Sequence, residues 1–189
     1  MADITAIPGI ADLRRHTRGG DLRVCVVVLD GPVDLDHPCF AGADLTPLAT
    51  LASGRATGGG MSRHGTHVAS VIFGRHDGPV PGLAPGCRGL IVPIFSDEER
   101  HLSQLDLARA IDPAVEAGAH VSNVSGGQRI PASEAEDLLD RANRHARDRN
   151  MLIVAAAGND GCACLQVPAA VASPRWGALA PSHFSEDRS

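Results

Sequence analysis

Val24-Cys25-Val26-Val27-Val28-Leu29-Asp30 is a continuous apolar, mostly β-branched run that ends on an acid. A run with no polar face is the pattern of a strand covered on both sides in a parallel sheet. Gly31-Pro32 stops it, so the Asp30 carboxylate stands at the carboxyl end of the strand, where open α/β sheets place their ligand sites. Met151-Leu152-Ile153-Val154-Ala155-Ala156-Ala157 repeats the pattern as a second fully buried strand and runs into Gly158-Asn159-Asp160-Gly161. That places the Asn159 carboxamide on the same sheet edge as Asp30. Residues 119–124 form another strand, which leads into Ser125-Gly126-Gly127, and residues 42–50 hold a short edge strand. Residues 89–95 are a further strand, within which Pro93 predicts a bulge or an unpaired edge.

Helical patterns alternate with these runs. Residues 64–74 place Val68, Val71 and Ile72 on one face. Ser103 caps a helix over 104–117, with Asp106 near its positive end, Gly118 at its stop and Pro113 predicting a kink. Ser133 and Glu136 form a capping box for a helix running to about residue 149, with Leu138, Leu139, Ala142 and Ala146 on one face.

The 189 residues suit one domain with a real core, and 43% hydrophobic residues with 21 glycines describe a globular chain. A net charge of -5 without a basic run gives no electrostatic footprint for a phosphate backbone or an anionic membrane, and 3% aromatics with no tyrosine give no stacking platform for single strands. Nucleic acid and membrane are therefore not the expected partners. Residues 1–21 hold no apolar run of signal-peptide length and no stretch is long enough to span a bilayer, so the expected location is cytoplasmic. The five cysteines lack paired C-x-x-C spacing. Cys25 belongs to the core, and Cys162-Ala163-Cys164 reads either as a redox or metal pair or as incidental thiols.

The chemistry-bearing stretch is Arg63-His64-Gly65-Thr66-His67-Val68-Ala69, two histidines one turn apart at the start of a helix, with Gly65 allowing a close backbone approach. Held on a rigid element at a cleft, such an imidazole can act as a base near neutral pH; alone, the pair reads equally as surface or capping histidines. No third ligand is spaced to make a metal site of His64 and His67. Ser125-Gly126-Gly127 is backbone almost without side-chain cover, able to pair with an extended peptide or simply to turn. Asn159 in N-D-G is by itself a turn residue. Asp34, Asp36 and His37 lie in a polar loop that either binds a cation or is solvated charge.

Asp30-Gly31, His64-Gly65-Thr66-His67-Val68-Ala69, Asn123-Val124-Ser125-Gly126-Gly127 and Ala155-Ala156-Ala157-Gly158-Asn159-Asp160-Gly161 stand in the order of the subtilisin-like serine proteases, which the chain resembles over residues 23–170. Residues 29–34, 37–40, 86–96, Cys162 and Cys164 are similar to the cyanobactin maturation proteases, which process precursor peptides. The resemblance implies a doubly wound α/β parallel sheet. It makes Asp30 the residue that orients His64, His64 the general base, His67 the second, structural histidine and Asn159 the oxyanion donor. It sets Ser125, Gly126 and Gly127 along the substrate cleft, with no cofactor. Residues 1–22 would be an extension and residues 171–189 an irregular tail unlike the family.

A hydroxyl nucleophile needs a base, a carboxylate that fixes the base's tautomer, and donors for the oxyanion. Asp30, His64 and Asn159 match three of those parts. The family's nucleophile lies in a Gly-Thr-Ser motif, which this sequence does not contain, and Ser173, Ser182, Ser185 and Ser189 have no glycine elbow. The expectation is a partial domain, inactive alone. Three accounts fit: a truncated or frameshifted product, a non-catalytic relative that binds peptides, or one half of a split protease completed by a second chain. A nucleotide-binding α/β domain would need a glycine-rich phosphate loop where Asp30-Gly31-Pro32-Val33-Asp34 instead places acid.

Overall fold

The computed structural model describes residues 6–50, 52, 55–98, 102–130, 137–158 and 165–169. Their elements run α1 (Ile10–Thr17), β1 (Cys25–Asp30), β2 (Leu45–Pro47), α2 (Gly60–Phe73), β3 (Arg88–Pro93), α3 (Gln104–Glu116), β4 (Val121–Val124), β5 (Gln128–Ile130), α4 (Asp137–Asp148), β6 (Leu152–Ala155) and β7 (Leu165–Val167), with a single 3-10 turn at Pro38–Phe40. Five strands form one parallel sheet in the order β2-β3-β1-β4-β6. β5 and β7 pair antiparallel in a separate ribbon.

The expected α/β fold is present, and β1 shows why its sequence is apolar throughout. Cys25, Val27 and Leu29 belong to a buried cluster with Leu107 and Ile111 of α3 and Leu139, Ala142 and Ala146 of α4. Val28 belongs to a second cluster with Ala69 and Phe73 of α2, Cys39, Phe40 and Ile91. Successive side chains of a strand point to opposite faces, so helices cover the sheet on both sides and the fold is doubly wound. Cys25 is core, as expected, and burial pushes its thiol up from the ordinary range.

Several details depart from expectation. Pro93 is not bulged: it is the last residue of β3, in register with Asp30, and lies beyond the end of β2, so it is the unpaired-edge alternative that holds there and its missing N–H interrupts no ladder. α2 begins at Gly60, four residues before the expected start, so His64 sits in its second turn. Its buried stripe is Ser62, Gly65, Ala69 and Ser70, small residues that let the helix lie close to β1, and Phe73 at its end, while Val68 and Ile72 pack only partly against that cluster. Leu138 of α4 is exposed, and β6 is not fully buried, because among the described residues it has no neighbour beyond β4. Helix α3, by contrast, runs as expected through Pro113 to Glu116, with Ala117 at its C-cap. The capping residues Ser133 and Glu136 lie outside the described residues.

The α3 cap is reciprocal. The Ser103 hydroxyl accepts from the Asp106 N–H at 3.1 Å, and Asp106 Oδ2 accepts from the Ser103 N–H at 3.3 Å. Ser103→Ala is expected to lower stability by about 1 kcal/mol, the ordinary loss for such a cap, read as a lower urea midpoint with an unchanged slope. No described helix is long and apolar enough to cross a membrane.

Candidate active site

β1 delivers Asp30 to the carboxyl edge of the sheet on the side facing α2, and α2 brings His64 over it. His64 Nδ1 lies 2.8 Å from Asp30 Oδ1, which also accepts the Gly31 N–H at 2.6 Å. Asp30 is 0% exposed and the His64 side chain 50%. A carboxylate only accepts hydrogen bonds, so Nδ1 carries the proton toward Asp30 and Nε2 is left as the basic nitrogen of the neutral ring. Among the described residues Asp30 Oδ2 is buried without a hydrogen-bond partner.

Glycines make this approach possible. A Cβ on Gly65 would collide with the carbonyl oxygens of Gly31 and Pro32, and one on Gly31 with the carbonyl of Met61. The loop after β1 is tied to α2 a second time, by the Asp34 N–H donating to Thr66 Oγ1 at 3.0 Å. Asp36 N–H donates to Asp34 Oδ1 within that loop at 3.2 Å. His67 faces outward from α2 and is exposed.

The start of α2 is held by a residue that sequence reasoning missed. Asp97, four positions past β3, accepts from the backbone N–H groups of Gly59 and Ser62 and from the hydroxyls of Thr57 and Ser62. The Ser62 hydroxyl bond first, then that of Thr57, hold its carboxyl well below the usual carboxylate range. A depressed folded pKa means that its contribution to stability is fully present above the unfolded value of about 3.9 and fades only as pH falls below it. The one signal in the sequence is negative: Gly59, the cap position, has no side chain with which to cap.

Ser125, Gly126 and Gly127 follow β4 beside the end of β1. The Ser125 N–H donates to the Leu29 carbonyl at 3.2 Å, and Ser125 Oγ accepts from Asn123 Nδ2 at 2.7 Å. Gly126 packs against the ring of Phe95, where a Cβ would lie 2.5 Å from two ring carbons. All three residues are half-buried. Asn159, Cys162 and Cys164 lie outside the described residues, beyond Gly158, which has φ 89°. Thus Asp30 and His64 are brought together, and Ser125 begins one strand away from Asp30.

Comparison with known proteins agrees with the fold. The subtilase family model, Peptidase S8, matches residues 22–181. Subtilisin BL of Lederbergia lenta is 30% identical over 160 residues, which cover 84% of this chain and 56% of that protein. The structure of the prenylagaramide maturation protease PagA superposes with a TM-score of 0.77 at 56% identity, over 86% of this chain and 56% of that one. That of the patellamide maturation protease PatA superposes with a TM-score of 0.70 at 60% identity, over 79% and 54%. The chain therefore spans little more than half the length of these relatives. By the extent of the family match, and by strands and helices that superpose on solved members, the chain belongs to the subtilase family.

Proposed function

We propose that this chain is the acid–base portion of a subtilisin-like peptidase site that acts on a peptide, with His64 as general base and Asp30 as the residue that orients it. The observation that carries this reading is the 2.8 Å contact between a half-exposed imidazole and a fully buried carboxylate. A buried carboxylate with one oxygen unpaired among the described residues opposes stability, and such arrangements concentrate at functional sites. The 125–127 segment would receive the peptide backbone, and Asn159 would donate to the oxyanion. The identity to proteases named for maturation of patellamide and prenylagaramide favours a precursor peptide as substrate. The buried acid at the end of β1 disfavours the nucleotide-binding alternative, since it would repel a phosphate.

The sequence contains no Gly-Thr-Ser, and loss of the nucleophile from a subtilisin lowers turnover roughly a millionfold, a value measured for subtilisin itself. We therefore expect the chain to bind peptide without cleaving it. The test uses the purified chain with a fluorophosphonate probe and a fluorescein-labelled precursor-type peptide. No labelling, no cleavage and saturable binding weakened at least tenfold by Gly126→Leu are expected. Stoichiometric labelling abolished by His64→Ala would reveal a nucleophile within the chain and overturn the expected inactivity. Absence of any peptide binding would overturn the peptide reading.

A further inference from the structure

The structure assigns to Asp97 the role of a positioning residue: its carboxylate locks the first turn of α2 and thereby holds His64 within hydrogen-bond reach of Asp30. The assignment rests on the reading of His64 and Asp30 as a working pair.

Helix α2 opens on Gly59 and Gly60, so its first N–H groups find no cap in their own segment. Asp97 supplies one from across the site. Its Oδ1 accepts the Ser62 N–H at 2.9 Å, and its Oδ2 accepts the Gly59 N–H at 3.2 Å and the Thr57 and Ser62 hydroxyls at 2.5 Å each. The buried Ser62 hydroxyl in turn accepts the Thr57 N–H at 3.2 Å, so the loop before the helix closes on the same carboxylate. A Cβ on Gly59 would collide with the Asp97 side chain; the glycine is required because Asp97 stands where a capping side chain would be.

The geometry makes the effect reach His64. The imidazole leaves the helix two residues after Ser62; on its N-terminal side α2 meets the β1 loop only where Met61 packs on Gly31, and the Gly65 contact and the Thr66 hydrogen bond both come after His64. Without Asp97 the N–H groups of this first turn lose their only side-chain cap and the turn keeps only the packing of Met61 on Gly31, so it frays more readily, and His64 is the next residue along. A hydrogen bond at 2.8 Å weakens over displacements of a few tenths of an ångström.

The segment that carries Asp97 also touches the rest of the site. The Ile94 N–H donates to the Asp30 carbonyl at 2.7 Å, and Phe95 packs against Gly126. Residues 94–97 are therefore a strut whose successive positions hold the backbone of Asp30, the 125–127 segment and the helix of His64.

The test reads the His64 Nδ1–H directly, by nitrogen-edited NMR of the full chain, as a downfield imidazole proton and its exchange rate with water. In Asp97→Ala the exchange rate is expected to rise at least tenfold. In Asp97→Asn, which keeps an acceptor for the Ser62 N–H, it should stay within about threefold of the parent. Leu139→Ala, a core change on the opposite sheet face, should lower stability and leave the proton unaffected. If Asp97→Ala does not fold, Ser62→Ala removes one hydroxyl of the network and should give a smaller rise of about threefold. An unchanged proton in the folded Asp97→Ala or Ser62→Ala chain, or an equal effect from Leu139→Ala, overturns the positioning role while leaving the pair intact. Absence of a downfield His64 proton in the parent chain overturns the pair itself and the proposal with it.

Discussion

Gly65→Val is expected to lower the unfolding free energy by about 3 kcal/mol, a substantial part of a typical net stability of roughly 5 to 15 kcal/mol. Glycine inside a helix is ordinarily a weak point, and replacing it with alanine gains about 1 kcal/mol of helix propensity. Here the sign reverses. The first carbon added at Gly65 meets the carbonyl oxygens of Gly31 and Pro32, backbone atoms that no rotamer change can remove, and the branched carbons of valine add to the overlap. Gly65→Ala should therefore destabilise despite its propensity gain, and valine more so. The only relief is for α2 to lift away from β1, which stretches the His64–Asp30 contact, so the same variants should lose the hydrogen-bonded imidazole proton. Arg63→Ala, exposed two positions earlier, should stay within about 0.5 kcal/mol of the parent. Urea unfolding of the three variants checks the order; a Gly65→Ala chain more stable than the parent would show that the close approach is absent in solution.

Elements whose information is local were legible in the sequence. The β1 run needs two covered faces wherever it occurs, and Ser103 with Asp106 caps α3 from within its own segment. Asp30 and His64 were legible for a related reason: each stands at a fixed point of a strong local pattern, and only their 34-residue separation in sequence had to be closed by the fold. The start of α2 was not legible, because its cap is Asp97, 35 residues after Ser62, and nothing near Gly59 announces it. At Pro93 the choice between a bulge and an unpaired edge was open for the same kind of reason. Proline forbids a ladder bond only where a neighbouring strand asks for its N–H, and β2 is too short to ask. The buried stripe of α2 was misplaced because hydrophobic periodicity favours large residues, whereas a helix this close to a strand buries small ones, Ser62, Gly65, Ala69 and Ser70, ahead of Phe73.

Leu152 and Val154 carry the largest expected effect on solution behaviour. Their sequence, Leu152-Ile153-Val154-Ala155, is that of a strand made to be covered on both faces, yet Leu152 is 48% and Val154 43% exposed. Two residues apart on a strand, they point to the same side, and in the described residues β6 is the outer strand of a parallel sheet, its free edge offering unpaired N–H and C=O groups. Half-exposed side chains of this size leave on the order of 150 Å² of apolar surface wet, worth about 4 kcal/mol at 25 cal/mol per Å² if another surface were to cover it. Apolar patch and open edge coincide, so the two driving forces for association act at one place. The purified chain is expected to form concentration-dependent oligomers or bind a hydrophobic dye, and Leu152→Thr with Val154→Lys to shift it toward monomer, since a charge on an exposed edge disfavours pairing there. Neither substitution touches Asp30, His64 or Asp97, so the imidazole proton should survive in the soluble variant. Sedimentation velocity over a hundredfold range of concentration decides the matter: a parent chain that stays monomeric throughout, with no dye binding, would mean that this face is covered in solution.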